Sequence, residues 1–180
     1  IAFLDVDDIW HEKKLEKQIN LFKTKNCALT FSNFFIFKNK LKKKKIFKKK
    51  IPKKNHISNL LKDYYVGLLT IMFDKNIVDC QFNEEYHFIG DFDFVMKVAS
   101  RNEIDFVNEP LAYNRIHKNN ETSKKYILSI HEILRWYKNC EISEIKNNKN
   151  FKLVKSAALY NLTKYTLYKK KKIKITKRFN

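Results

Sequence analysis

The ten residues that open the chain, IAFLDVDDIW, place three aspartates within four positions, between an apolar run and a helical pattern. Like charges that close repel and raise one another's pKa, so a folded protein keeps such a cluster where something cationic sits in it. A divalent metal is the first candidate. IAFLD reads as a short buried strand, and its last residue falls where an α/β sheet presents side chains to a ligand crevice. DDIWHEKKLEKQINLF then carries Leu15, Ile19 and Phe22 at helical spacing, with the aspartates available as an N-cap. An acidic turn between a strand and a helix places the chain in the α/β class.

The rest of the chain alternates in the same way. CALTFSNFFIF is aromatic and β-branched and predicts one strand or a hairpin. KNKLKKKKIFKKKIPKK packs like charges too densely to fold alone, so residues 38–56 read as a solvated basic loop. ISNLLKDYY predicts a helix, and GLLTIMF a buried strand after Gly67. FIGDFDFVMKVASR sets a second acidic pair at a helix start, with Gly90 breaking the preceding segment and Asp91 at the cap. EIDFVNEPLAYNRIH predicts two short strands around Pro110, ending in Arg115 and His117. Two amphipathic helices follow, one striped by Tyr126, Ile127, Ile130, Leu134 and Tyr137, the other by Leu153, Val154, Ala157, Ala158, Leu162 and Tyr165. YKKKKIKITKRFN is a basic tail.

Composition narrows the partners. The chain's 180 residues, 44% of them hydrophobic, suffice for one domain with a core. Lys and Arg number 38 against 19 Asp and Glu, a net charge of +19, so the surface attracts phosphates on nucleotides, nucleic acid or anionic lipid. Cys27, Cys80 and Cys140 are far apart and odd in number, with no CxxC pair, so neither a disulfide framework nor a zinc knuckle is indicated and a reducing cytosol fits. No apolar run reaches the roughly 18 residues that span a bilayer, and no signal segment opens the chain. Because Ile1 lies inside an expected core strand, the natural chain is expected to have more in front of it.

FLDVDDIW, IGDFDFVMKVA and EPLAYNRIH, in that order, resemble the family 2 glycosyltransferases of the GT-A fold. In that family a strand ends in a DxD-type acidic turn, a later acidic pair opens a helix, and a tyrosine-arginine-x-histidine strand follows. NHISNLLKDYYVGLLTIMF is similar to the segment that joins these motifs in small members building bacterial surface polysaccharide. The resemblance runs through about His117. It implies a GT-A-like, Rossmann-like mixed sheet with flanking helices and C-terminal helices, its N-terminal half missing. Residues 1–120 would form the C-terminal part of the catalytic domain, and residues 121–180 a helical extension with the basic tail.

The same resemblance implies roles. The activity would be inverting transfer of a sugar from a nucleotide-diphosphate sugar to a hydroxyl of a glycan or lipid-linked acceptor. Breaking the bond to the diphosphate develops negative charge that Mg²⁺ or Mn²⁺ can neutralise, and such hard ions take carboxylate oxygens. Asp7 would be the metal ligand, with His117 completing its shell or touching the diphosphate. Asp5, Asp8 and Arg115 would bind the nucleotide sugar: Asp5 beside the ribose or metal, Asp8 behind it or as a helix cap, and Arg115 by a forked contact to phosphate. Asp91 would be the general base. Many relatives have Glu-Asp where this chain has Gly90-Asp91. The other histidines, His11, His56, His87 and His131, read as ordinary residues. EILRW resembles the QxxRW motif of processive members, but Glu132 stands where glutamine belongs, and it is discounted.

Two other classes compete. FLDVDDIW also resembles the nucleophile strand of haloacid dehalogenase phosphatases, with Asp5 as nucleophile and Asp7 as acid/base, although Val95 replaces the second acid of a GDxxxD spacing. A non-catalytic basic module is the third, its lysine runs interleaved with Phe37, Ile46 and Phe47 to bind RNA or anionic lipid. With no recognised RNA-binding motif, no specific nucleic acid is expected. The expected location is the cytoplasm, with peripheral contact to the inner membrane face through the basic loop and tail.

Overall fold

The computed structural model describes residues 1–38, 44–47, 50–117 and 125–176. Its elements are β1 (Ile9–Trp10), α1 (Lys14–Thr24), β2 (Leu29–Lys38), β3 (Lys44–Ile46), α2 (His56–Lys62), a 3₁₀ turn (Leu68–Thr70), β4 (Met72–Phe73), α3 (Gly90–Arg101), β5 (Ile104–Ile116), α4 (Tyr126–Asn139), α5 (Ser143–Lys146) and α6 (Phe151–Thr176). The expected α/β architecture is present: a mixed sheet with helices packed against it.

The β-branched and aromatic run of β2 is buried on both faces, as a central strand requires. It pairs in parallel with β5 from Leu29 opposite Ile104 to Lys38 opposite Ile116. On its other side β4 pairs antiparallel with its start and β3 with its end. β1 lies antiparallel on the outer side of β5, Ile9 opposite Tyr113. One sheet face and α3 form the main core: Leu29, Phe31 and Phe73 meet Phe92, Phe94, Val95, Met96 and Val98. Burying each such side chain contributes on the order of 2 kcal/mol. Trp136, Ile145, Phe151 and Val154, from the segment expected as a helical extension, join this same core.

Several expectations are corrected. Ile1–Asp5 is not a buried strand: Ala2 makes a single antiparallel bridge to Met72, the Ile1 amino group donates to the Phe73 carbonyl at 2.8 Å, and Ile1 and Leu4 are exposed. Asp5 therefore follows one bridge, not the strand that the glycosyltransferase resemblance and the phosphatase alternative both place before it. The aspartates do not cap α1, whose N-cap is Lys13. Nor does Leu15, Ile19 and Phe22 form its buried stripe, since Leu15 and Ile19 are exposed and Lys14 and Gln18 are fully buried. The reason is polar: Gln18 Nε2 donates to Thr30 Oγ1 at 3.1 Å and to the Thr70 carbonyl at 3.0 Å, so α1 covers the sheet face that presents Thr30. The Lys14 ammonium lies 4.3 Å from the Trp10 ring centroid, and burial pushes its pKa down to about 8.

β5 is one strand rather than two. A register slip pairs Ser32 with Val107 but Asn33 with Pro110, and that bulge accommodates a proline with no N–H to give. GLLTIMF becomes the 3₁₀ turn and the two residues of β4. The basic loop contributes the edge strand β3, while residues 39–43, 48–49 and 177–180 lie outside the described residues. Among the described residues no helix is long and apolar enough to cross a membrane.

Candidate functional site

The site forms where β5 ends, outside the carboxyl ends of the parallel pair β2 and β5, the place where α/β sheets bind ligands. The acidic turn reaches it because Asp8 is tied to β5. Its backbone N–H donates to the Asp5 carbonyl at 3.1 Å, closing the turn. Its carboxylate accepts the Arg115 backbone N–H at 2.9 Å and the Asn114 amide at 3.2 and 3.3 Å. Asp8 is buried, and burial raises its pKa against the pull of those donors. Both of its oxygens are thus committed to β5.

Asp7 points the other way. Its Oδ2 lies 2.6 Å from His117 Nε2, with both side chains about one-third exposed. The hydrogen bond from His117 is the main cause that holds Asp7 below the usual carboxylate range, and the charge of Arg115 adds to it. Arg115 is exposed, its guanidinium 5.5 Å from the Phe37 ring centroid. Asp5 is exposed in the same turn. Asp5, Asp7, Asp8, Arg115 and His117 are therefore brought to one locality, although nothing in the order of the motifs joins residues a hundred positions apart.

Asp91 comes from the start of α3, in its first turn rather than at the N-cap, which is Ile89. Its Oδ1 accepts the Phe92 N–H at 2.8 Å and its Oδ2 the Tyr64 hydroxyl at 3.3 Å. Burial overrides both bonds and pushes its pKa up to about 6, and the negative charge of Asp5 adds to the rise. Asp5 thus lies within electrostatic reach of Asp91, linking the two acidic turns. Asp91 also lines a mostly apolar cavity of 570 Å³ between α2, α4 and α6, with Tyr64, Phe88, Ile130, Ile133 and Val154. Asp93, two residues on, faces the core: it accepts Trp136 Nε1 at 3.0 Å and pairs with Lys97 at 2.6 Å.

The donor set suits a hard divalent ion in part. Asp7 and His117 supply one carboxylate and one imidazole, and among the described residues no cluster of three or more His, Cys, Asp or Glu is arranged to hold a metal. A Mg²⁺-type ion takes one or two carboxylates and leaves its other positions to substrate phosphates and water, so Asp7 fits it and the His117 imidazole is the softer member of the pair. Two site residues escaped the sequence reading. Tyr64 carries no motif, although it lies in the KDYY segment. Asn114 lies inside EPLAYNRIH and was passed over for its neighbours.

No protein-family profile matches the chain. Two curated proteins are similar to it. One is the UDP-Glc:alpha-D-GlcNAc-diphosphoundecaprenol beta-1,3-glucosyltransferase WfgD of Escherichia coli, 31% identical over 108 residues, which are 60% of this chain and 41% of that protein. The other is TuaG of Bacillus subtilis (strain 168), assigned to teichuronic acid biosynthesis as a glycosyltransferase, 32% identical over 75 residues, 42% of this chain and 29% of that protein. The chain thus spans less than half the length of either relative, and over that stretch it is similar to two bacterial glycosyltransferases.

Proposed function

We propose that the chain forms part of an inverting, family 2-like glycosyltransferase of GT-A type that uses a nucleotide-diphosphate sugar and builds bacterial surface polysaccharide. The observation that carries this reading is Asp91, a half-buried carboxyl held near pH 6 at the wall of a cavity and within reach of Asp5's charge. A base with that affinity is largely ionised at neutral pH and still takes a proton readily. Asp91 would accept the proton of an acceptor hydroxyl as that oxygen attacks the anomeric carbon, on the face opposite the diphosphate. The new carbon–oxygen bond forms as the bond to the diphosphate breaks, and the nucleoside diphosphate leaves with the electron pair.

Asp7 and His117 would hold Mg²⁺ or Mn²⁺, which when bound supplies positive charge to the leaving diphosphate. Arg115 would add a second cation to that diphosphate, and Asp5 would lie at its nucleoside side. Asp8 would act through β5 by fixing Asn114 and Arg115. A glycan or lipid-linked acceptor is favoured by the apolar cavity beside Asp91 and by the diphosphoundecaprenol-linked substrate in the name of WfgD. The lysine-rich loop and tail would hold the enzyme peripherally on the inner membrane face, each lysine near an anionic surface contributing on the order of 1 kcal/mol.

The test is transfer by the full-length protein from UDP-, GDP- and dTDP-sugars with Mn²⁺, with the anomeric configuration of the product read by NMR. Inverted product that disappears on chelation supports the reading. Retained configuration, or phosphate release with no transfer, overturns it.

A further inference from the structure

Helix α3 carries no side-chain cap of its own, since its N-cap is Ile89. The amides ahead of it are taken by a carboxylate from another helix. Glu132 of α4 accepts the His87 N–H at 3.1 Å on Oε1, and the Phe88 and Ile89 N–H groups at 2.9 and 3.3 Å on Oε2. It is 8% exposed. Three and four residues further along the same helix face, two more side chains grip the same segment. Arg135 Nη2 donates to the Glu85 carbonyl at 2.5 Å and lies over the Tyr86 ring at 5.1 Å. Trp136 donates to Asp93 at 3.0 Å and meets the Phe92 ring edge-on, centroids 4.7 Å apart. Residues 85–93 are thus held along their length by one face of α4, with Asp91 between the outermost ties.

We propose that Glu132 is a positioning residue for Asp91, resting on the reading of Asp91 as the base. A carboxylate suits the task where glutamine does not. Its two oxygens accept three N–H groups, whereas an amide offers one oxygen and turns its own N–H₂ toward a donor. Its charge also complements the positive end of α3. Asp91 sits on the first turn of that helix, so the direction of its carboxyl follows from how the turn is anchored. Buried carboxylates are costly unless fully bonded, and here the bonds are spent on the backbone that presents the base.

The experiment compares Glu132→Gln, Arg135→Ala and Asp91→Asn in the full-length protein, by steady-state kinetics and by amide hydrogen exchange. Glu132→Gln is expected to speed exchange at residues 87–89 and to lower kcat by about ten- to a hundredfold, the effect of misplacing a reacting group by an ångström. Donor KM stays unchanged, because the base acts in the transition state. Arg135→Ala, which removes an exposed tie and leaves the buried carboxylate in place, shows the same pattern more weakly. Faster exchange with unchanged kcat in Glu132→Gln overturns the proposal, since Glu132 would then only secure the loop. If that variant does not fold, unchanged kcat with faster exchange at 85–89 in Arg135→Ala overturns it. Asp91→Asn separates the two readings: full turnover in that variant refutes the base itself, whatever Glu132 does.

Discussion

The two acidic turns, DVDD before α1 and GDFD at the start of α3, each set aspartates on both sides of an apolar residue and are used in opposite ways. In each, one carboxylate is buried and committed to structure: Asp8 to Asn114 and Arg115, Asp93 to Trp136 and Lys97. In each, a second carboxylate is placed differently, Asp7 against His117 and Asp91 at the wall of the apolar cavity. Asp7 beside His117 is held low, which suits the metal ligand proposed for it. Asp91 is pushed up to about 6 by burial, which suits the base proposed for it. The pair teaches that role is set by environment rather than by spacing, and that carboxylates pushed apart in pKa mark a division of labour.

The largest expected effect separates Asp91 from Asp7. Asp91→Asn should lower kcat roughly 10²- to 10⁴-fold with little change in donor affinity. The sign of its stability effect is equally specific. The folded-state pKa lies above the ordinary 3.8, so ionising Asp91 costs stability as pH rises through that interval, and the cost is complete above about 6. The asparagine variant should therefore unfold at a higher temperature than wild type at pH 7.5 and not at pH 3.5. A destabilised variant at pH 7.5 would contradict the burial that underlies the base.

Asp7→Asn should leave the protein folded and weaken Mn²⁺ binding by about 10- to 100-fold, read by titration calorimetry. Because the Asp7 pKa is lowered, whatever stability the His117 bond contributes is present above about pH 4 and lost as pH falls through the lowered value. Unchanged Mn²⁺ affinity would remove the distinction between the turns.

The two committed acids should behave alike. Asp8→Ala and Asp93→Ala each leave buried donors without an acceptor, which costs about 1–3 kcal/mol in denaturant unfolding. Activity losses in Asp8→Ala should follow the loosening of β5 and be recovered in part by saturating metal. The smallest expected effect is that of Tyr64→Phe. Removing the one side-chain hydroxyl that favours ionised Asp91 should raise the acid limb of the pH–rate profile, near 6 in wild type, by less than about one unit. A downward shift would mean that the hydroxyl is not bonded to the charged form.

What the sequence made legible follows from where its signals are local. The strand β2, the helix α3 and the two C-terminal helices were readable because apolar periodicity and an acidic start are written within a few residues. The face of α1 was not, because its burial is decided by Thr30 and the Thr70 carbonyl, partners outside the helix, and Leu15 and Ile19 were the more hydrophobic choice. The two strands expected around Pro110 fused into one because parallel pairing along all of β2 outweighed one missing donor. At the candidate site, residue types at motif positions singled out Asp7, Asp91 and His117, of which Asp7 and His117 meet in the structure. Tyr64 was hidden and Glu132 set aside, since their partners lie 27 and 43 positions away.

The strand β3 gives the lysine run a meaning that attraction to phosphates does not. It ends the sheet order beside β2, so its outer side is an edge whose backbone groups another chain could pair with. Among the described residues no further strand covers that edge, and an uncovered edge invites edge-to-edge pairing between molecules, which lysine on the edge opposes. With Lys45 exposed on that strand, a second copy approaching edge-on meets its own charge. On this strand, then, a lysine opposes edge-on pairing whether or not any phosphate is near.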